Sequence, residues 1–365
     1  MHYRIEREHL DGLLAALQGH GRIIGPRIQE NTFGHRDIAS SRDFPAGWTF
    51  EQDGGIFRLR QRGDQALFGY TVGQDSWKKE LYPSRSRLLS LKKTQDSFSV
   101  IPEHPCSEKV VFFGVRPCDL AAIHIQDTIL TRGPFADPEY AARRKNALIV
   151  VMECTRPAAT CFCASMGTGP GAASGFDLAL TEVADPDHHY FLIRAGTGQG
   201  RSVMAGLGLA EASGQQIARG QALVREAAAG MGRSINQSGI RELLYDNHDH
   251  PRWDQVARRC LTCGNCTQVC PTCFCHTVYD RISLSGNQAE RFRCWDSCFL
   301  LDHSYIHGGS VRASPRSRYR QWITHKLASW IDQFGVSGCV GCGRCITWCP
   351  VGIDITEEIQ AIRQT

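Results

Sequence analysis

The chain has 365 residues and a net charge of +4, and hydrophobic residues make up 42% of it. The length exceeds that of a typical single domain, so we expect two, and the basic excess is too small to predict nucleic-acid binding. No apolar run approaches the ~20 residues of a membrane span, and acidic residues interrupt the start of the chain where a signal peptide would be apolar. These features predict a cytoplasmic protein.

The first hundred residues predict ordinary packing elements. Four leucines between positions 10 and 17 have helical spacing, which favours an amphipathic helix at the start of the chain. The sequence from Arg22 to Leu91 predicts short β-strands separated by many turns. Nothing in this part suggests a site.

Two continuous apolar runs follow, VVFFGV at 110–115 and ALIVVM at 147–152, and such runs are typical of strands buried on both faces. The segment between them predicts a helix with Pro117 in its first turn. This order indicates a β-α-β unit. Its two strands would be parallel, so the residues after each strand would meet at one edge of the sheet.

Four cysteines lie at or after the ends of these strands: Cys118, Cys154, Cys161 and Cys163. We expect them to bind one 4Fe-4S cluster, with Asp119 as a substitute ligand if one thiol is not used. The alternative is that they are free cysteines that pack as small hydrophobic residues. A flexible cover over this site is predicted from the nearby glycine-rich segments, which do not match the dinucleotide motif G-x-G-x-x-G.

No cysteine lies between Cys163 and Cys260, and this gap predicts the domain boundary. A helix of mixed quality is expected over 206–232, and the polar segment 247–251 resembles a linker. We therefore divide the chain into an α/β domain over 1–245, which carries the cluster predicted above, and a ferredoxin-like domain over 246–365.

Two cysteine runs dominate the second domain, CLTCGNCTQVCP from Cys260 and CVGCGRCITWCP from Cys339. Each reads C-x2-C-x2-C-x3-C-P, the pattern with which bacterial ferredoxins hold two 4Fe-4S clusters, the fourth cysteine of each run binding the other cluster. Zinc knuckles and disulfides are the alternatives, but zinc sites use two pairs of ligands rather than three even spacings and a displaced fourth. The predicted ligand sets are Cys260, Cys263, Cys266 with Cys349, and Cys339, Cys342, Cys345 with Cys270.

Four further cysteines exceed the needs of a dicluster domain: Cys273, Cys275, Cys294 and Cys298. They could form an additional metal site, replace an assigned ligand or fill space, because C-x-C and C-x3-C are weak signals. The segment from Arg316 to Phe334 predicts an amphipathic helix. Its basic residues, including Lys326, are expected either to face solvent or to contact an acidic partner.

Several motifs together resemble a known family: GVRPCDLAAI, ECTRPAATCFCASMGTGP, CLTCGNCTQVCPTCFC, RCWDSC and CVGCGRCITWCPVGIDI. They are similar to the iron-sulfur beta subunit of soluble sulfhydrogenases, the NAD(P)-linked NiFe hydrogenases, and to the relative of that subunit in anaerobic sulfite reductase. The upstream part also resembles, more distantly, the beta subunit of deazaflavin-reducing hydrogenases. The resemblance spans roughly residues 85–360.

This resemblance implies a relay subunit that passes electrons between a flavin subunit, which handles NAD(P)H, and a hydrogenase or sulfite reductase catalytic subunit. It leaves open which catalytic subunit that is, and a flavin-binding oxidoreductase in its own right is the alternative from another class. No catalytic dyad is evident among the fourteen histidines. The expected fold class is α+β: a mixed α/β domain with a short parallel sheet, then a mainly helical dicluster domain, with three 4Fe-4S clusters in the whole chain.

Overall fold

The structure, a computed structural model that describes residues 1–364, contains sixteen strands in four sheets. In chain order they are β1 (Tyr3–Glu6), β2 (Arg22–Gln29), β3 (Thr32–Asp37), β4 (Trp48–Asp53), β5 (Ile56–Gln61), β6 (Arg85–Lys93), β7 (Phe98–Pro102), β8 (Val110–Val115), β9 (Ala147–Met152), β10 (Leu178–Asp185), β11 (His188–Ala195), β12 (Ala210–Glu211), β13 (His276–Ile282), β14 (Gln288–Trp295), β15 (Tyr305–Ile306) and β16 (Gly309–Ser310).

Fourteen α-helices lie among the described residues, and none of them is long and apolar enough to cross a membrane. They are α1 (Leu10–Gln18), α2 (Lys78–Leu81), α3 (Pro117–Thr131), α4 (Pro138–Lys145), α5 (Cys163–Met166), α6 (Gly198–Ala205), α7 (Gly214–Ala229), α8 (Ile240–Asp246), α9 (Arg252–Arg259), α10 (Asn265–Gln268), α11 (Pro315–Thr324), α12 (Trp330–Phe334), α13 (Arg344–Thr347) and α14 (Ile355–Arg363).

An eight-stranded mixed sheet, in the order β12-β1-β11-β10-β9-β8-β2-β3, forms the first half of the chain. Its centre is parallel, because β2 pairs with β8, β8 with β9 and β9 with β10 in the same direction. The apolar strands β8 and β9 and the connecting helix α3, which begins at Pro117, confirm the predicted β-α-β unit. The expected α+β class is likewise confirmed.

Each face of this sheet is covered by a different hydrophobic cluster. The four leucines of α1 pack on one face with Phe113 and Phe191, which confirms the predicted amphipathic helix. Helices α3 and α4 cover the other face, where Trp77, Ile123 and Tyr140 are buried. Because both faces are covered, the two middle strands β8 and β9 contain only apolar residues.

The last third of the chain has its own hydrophobic cluster, built from α8, α9, α11, α14 and the loops between them. Phe162 and Met166, from the upstream cysteine segment, pack in the same cluster. A four-stranded antiparallel sheet, in the order β13-β14-β6-β7, also pairs early strands with late ones. The division of the chain at residue 245 remains a prediction.

Two helix predictions need correction in detail. The helix expected over 206–232 begins only at Gly214, where Ser213 and Gln216 form a capping box. The predicted amphipathic helix from Arg316 is continuous through α11 and α12, but a π-helical turn at His325–Ser329 joins them. This turn rotates the residues after it relative to a regular helix, and π turns frequently occur at functional sites.

The second cysteine run lies directly against the upstream cysteine segment. The Phe162 N–H donates to the Gly341 carbonyl at 2.9 Å. A side chain at Gly341 would approach the backbone of Cys163 to 2.7 Å, and one at Gly343 would approach the Thr160 carbonyl oxygen to 2.3 Å. Glycine is required at both positions, because no side chain fits between the two backbones.

We expect Gly343→Ala to lower the unfolding midpoint far more than Gly335→Ala. Both glycines have positive φ, so each alanine carries the left-handed backbone cost of about 1–2 kcal/mol. Only Gly343 adds a clash, because nothing lies within 4 Å of a side chain at Gly335. Thermal unfolding followed by circular dichroism checks this, and equal shifts would contradict the close packing described above.

Candidate metal centres

Group one consists of the predicted ligands Cys260, Cys263, Cys266 and Cys349, all of which line one cavity with apolar walls. Cys260 ends α9, and a turn through Gly264, which has positive φ, leads into α10 and Cys266. Burial raises the pKa of Cys266 well above its ordinary value, and the charges of Cys260 and Cys349 add to the effect. The structure thus brings the displaced fourth cysteine of the second run to the first run.

Group two consists of Cys339, Cys342, Cys345 and Cys270. Burial raises the pKa of Cys339 to about 12, and it raises the pKa of Cys345 well above the usual value. The charge of Cys270 raises the pKa of both cysteines further, as well as that of Cys342. The fourth cysteine of the first run therefore lies with the second run, and the two groups are reciprocal.

Group three consists of Cys118, Cys154, Cys161 and Cys163. Cys118 lies in the first turn of α3, after β8, and Cys154 follows the neighbouring parallel strand β9. Burial raises the pKa of Cys163, and the charges of Cys154 and Cys161 raise it further. Gly169, in the first glycine-rich segment, lies against group three, since a side chain there would meet the Cys163 sulfur at 2.9 Å.

The three groups follow one another in space. Burial is the largest cause that raises the pKa of three group three cysteines, Cys118, Cys161 and Cys163. The charge of Cys342 in group two raises the pKa of each of them further. On the other side of group two, the pKa of Cys345 is raised by burial and, among its neighbouring thiols, by Cys266 of group one. The order in space is therefore group three, group two, group one.

The chemistry of these groups fits clusters of several iron ions. Buried thiolates are costly unless a positive charge compensates them, and iron bound to the sulfurs provides that charge. Within residues 1–364 no set of three or more His, Cys, Asp and Glu side chains could hold a single metal ion. A cubane takes each thiolate on a different iron, so it is a different kind of site from a mononuclear one.

Two buried lysines lie beside group two. The Lys326 ammonium, in the π-helical turn, donates to the Cys270 sulfur at 3.2 Å, to Thr272 Oγ1 at 3.0 Å and to the Gly338 carbonyl at 2.9 Å. Lys78 donates to the Cys273 carbonyl at 3.1 Å. The expectation that Lys326 faces solvent or a partner is wrong, because the π turn directs it inwards, where it is 5% exposed.

The basic face predicted for this helix is divided. Arg318 is also buried, and it donates to the Phe299 carbonyl at 2.7 Å. Arg316 and Arg320 instead lie beside the exposed Asp249. Only part of the expected basic surface therefore exists.

A buried ion pair joins groups two and three. Arg344 follows Cys342 in the second run, and its guanidinium donates to both oxygens of Asp119, at 2.6 and 2.9 Å. The same group donates to the carbonyls of Gly73 and Asp75 at 2.9 and 2.8 Å. Asp119, expected as a substitute ligand, thus has both oxygens engaged, and sequence patterns gave no signal for this role of Arg344.

The four additional cysteines are not gathered at one point. The pKa of Cys273 is raised well above its usual value, chiefly by its interaction with Cys270 of group two. The pKa of Cys275 is lowered and that of Cys298 is raised, in each case chiefly by the interaction between these two cysteines. Cys294 instead lies in β14, opposite Thr277, with its sulfur 3.9 Å from the Tyr279 hydroxyl. An additional site made from all four remains a prediction to which this geometry lends no support.

Comparison with known proteins agrees with the cysteine pattern. Residues 259–353 match the family described as "4Fe-4S dicluster domain". The whole chain is similar to Sulfhydrogenase 2 subunit beta of Pyrococcus furiosus, with 29% identity over 364 residues, which cover 99% of this chain and 98% of the relative. No solved structure matches the chain.

We expect Arg344→Met to reduce the free energy of unfolding by roughly 3–5 kcal/mol, because it leaves the buried Asp119 carboxylate unpaired. The double variant with Asp119→Leu should recover much of this loss, since no buried charge remains. Urea denaturation measures both. As a control, Arg291→Met removes the exposed pair with Asp280 and should change stability little. A similar effect of the two single variants would contradict the structural role of the Arg344 pair.

Proposed function

Since this chain is a homologue of a sulfhydrogenase beta subunit and carries a 4Fe-4S dicluster domain, we propose that it relays electrons within a multi-subunit complex. The electrons would come from a flavin subunit that handles NAD(P)H and pass to the catalytic subunit of a soluble NiFe hydrogenase, or they would flow in the opposite direction. The complex would be cytoplasmic. The chain is an iron-sulfur electron-transfer subunit, and its end partners are the proposed part.

The observation that carries this proposal is the row of three cysteine groups. Group one and group two would each hold one 4Fe-4S cluster, and group three a third. Bound clusters supply one-electron carriers, whose potentials depend on hydrogen bonds, charge and solvent around them. Since the charge of one group acts on the thiols of the next, clusters bound there would lie near one another and would give an electron a route through the chain.

The residues around the groups have separate tasks in this proposal. Phe299, Tyr319 and Trp322 line the cavity of group one on one side, whereas Cys263 is exposed to solvent. Arg344 and Asp119 fix group three against group two. Lys326 places a positive charge at group two, where it favours the reduced state of a bound cluster. No residue of this chain is assigned a catalytic role.

The proposal predicts twelve iron atoms per chain in anaerobically purified protein, four for each cysteine group. Cys161→Ser should remove about four of them while leaving the C-terminal pair reducible by dithionite. Cys106→Ser is the matched control, since Cys106 lies outside the three groups. Iron and acid-labile sulfide analysis provide the counts. Full zinc occupancy without sulfide would exclude the cluster proposal, and unchanged iron in Cys161→Ser would exclude group three.

The relay itself is tested with the reconstituted complex. The isolated chain should not turn over hydrogen, NADPH or sulfite, whereas Cys263→Ser or Cys342→Ser in the complex should abolish transfer between the two end substrates. Half-reactions with artificial dyes at each partner subunit should persist. Steady NAD(P)H oxidation by the isolated chain, with bound flavin, would favour an oxidoreductase in its own right, and turnover with sulfite in the complex would favour a sulfite reductase.

Replacement of Lys326 should lower one cluster potential. A nearby positive charge stabilises the more negative reduced cluster, so Lys326→Met should lower the potential of group two by an amount on the order of 50 mV. Lys326→Arg keeps the charge and is the control. Redox titration followed by electron paramagnetic resonance measures the shift, and three unchanged potentials in Lys326→Met would disprove the role of this charge.

A further inference from the structure

Two buried polar atoms beside group one have no hydrogen-bond partner within residues 1–364. They are the hydroxyl of Tyr319 and the indole N–H of Trp322. The two residues are only 2% and 5% exposed. Both line the cavity that contains the four cysteines of group one. Because buried polar groups in folded proteins nearly always have a partner, these two donors need an acceptor.

The helix that carries the two donors directs both of them to the cavity. Tyr319 and Trp322 are three residues apart on α11, and residues at this spacing lie on the same face of a helix. Their ring centroids are 5.7 Å apart, and the ring of Phe299, which lines the same cavity, lies 5.8 Å from that of Trp322. One face of α11 therefore presents both donors to group one.

A third polar aromatic residue of the same hydrophobic cluster provides a comparison. The ring of Trp253 lies 6.3 Å from that of Tyr319, but Trp253 does not line the cavity. Its indole N–H donates to the Asn247 carbonyl at 2.8 Å. Within this cluster, the polar aromatic residues that reach the cavity are thus the ones without an acceptor in the protein.

A buried carboxylate near Tyr319 does not provide the acceptor. Burial raises the pKa of Tyr319 well above its ordinary value, and the charges of Glu358 and of Cys266 in group one raise it further. The two oxygens of Glu358 accept hydrogen bonds from Arg252 and Arg259 instead. Of these two negative neighbours, only the one in group one remains for the hydroxyl.

Neutral donors have particular weight at group one, because its cavity contains no lysine or arginine. One such donor acts there already, since the Thr262 N–H donates to the Cys260 sulfur at 3.4 Å. A donor directed at sulfur stabilises added negative charge and so favours the reduced state of a cluster. Group two has the Lys326 ammonium for this purpose.

We propose that the Tyr319 hydroxyl and the Trp322 indole N–H donate hydrogen bonds to sulfur atoms of the 4Fe-4S cluster at group one and raise its reduction potential. The inference rests on the function proposed above, because it needs a cluster at group one. It deepens that function by naming the residues that adjust one step of the relay.

The test measures cluster potentials in anaerobically purified, iron-loaded protein by redox titration followed by electron paramagnetic resonance. Tyr319→Phe removes only the hydroxyl, and Trp322→Phe removes the indole N–H. Each should lower the equilibrium constant for reduction of one cluster about tenfold, which is about 59 mV for one electron. Tyr245→Phe and Trp253→Phe are the matched controls, since these donors bond to Asp332 and to a carbonyl, and all potentials should stay unchanged.

A second measurement separates hydrogen bonding from packing. Electron–nuclear double resonance of the reduced chain should detect proton couplings that are present in H2O and absent in D2O. Tyr319→Phe should lack one of these couplings, because it has lost the donated proton and kept the ring. The cluster whose potential falls should differ from the one that Lys326→Met affects at group two.

Two results would overturn the inference: unchanged potentials and proton couplings in iron-loaded Tyr319→Phe, or a shift confined to the cluster beside Lys326. Because Tyr319→Phe keeps the packing of the ring, it decides the outcome even where Trp322→Phe loses iron. Iron analysis of the same samples separates this inference from the relay. Iron-loaded variants with unchanged potentials end this inference alone, whereas an unsubstituted chain without iron ends both.

Discussion

The organisation of this chain depends on a close backbone contact between the second cysteine run and the upstream cysteine segment. Gly341 and Gly343, in the second cysteine run, lie so close to Thr160 and Cys163 that no side chain fits between them. The buried pair of Arg344 and Asp119 fixes the same contact from the side. Each of these residues adjoins a cysteine of group two or group three. A contact that joins the two halves of the chain therefore also sets the distance between two predicted cluster sites.

Charge is distributed unevenly along the row of groups. The Lys326 ammonium donates directly to a group two sulfur, whereas the cavity of group one is lined in part by aromatic side chains and contains no lysine or arginine. A bound cluster would therefore be easier to reduce at group two than an otherwise equal cluster in an apolar cavity. With this difference in potential, an electron in the row would reside longest on the middle cluster, at group two.

Much of the fold and of the site could be predicted from local patterns. The buried strands β8 and β9, the proline that begins α3 and the crossing of Cys270 and Cys349 all follow from short-range signals, such as apolar runs and cysteine spacing. The inward position of Lys326 could not be predicted, because it depends on a π turn that hydrophobic periodicity does not encode. Contacts across more than 200 residues, such as Arg344 with Asp119, leave no trace in spacing either. Nor does spacing distinguish Cys294, which lies in a strand, from Cys298, which packs on the hydrophobic cluster of the last third of the chain.

The central claim is that three groups of four cysteines each hold an iron-sulfur cluster in one continuous row. Anomalous diffraction at the iron edge, on crystals of the anaerobically purified chain, tests it most directly. The account predicts three separate iron peaks: one among Cys118, Cys154, Cys161 and Cys163, one at group two beside Lys326, and one in the aromatic cavity of group one. Two peaks in the last third of the chain and none at the upstream cysteines would contradict it.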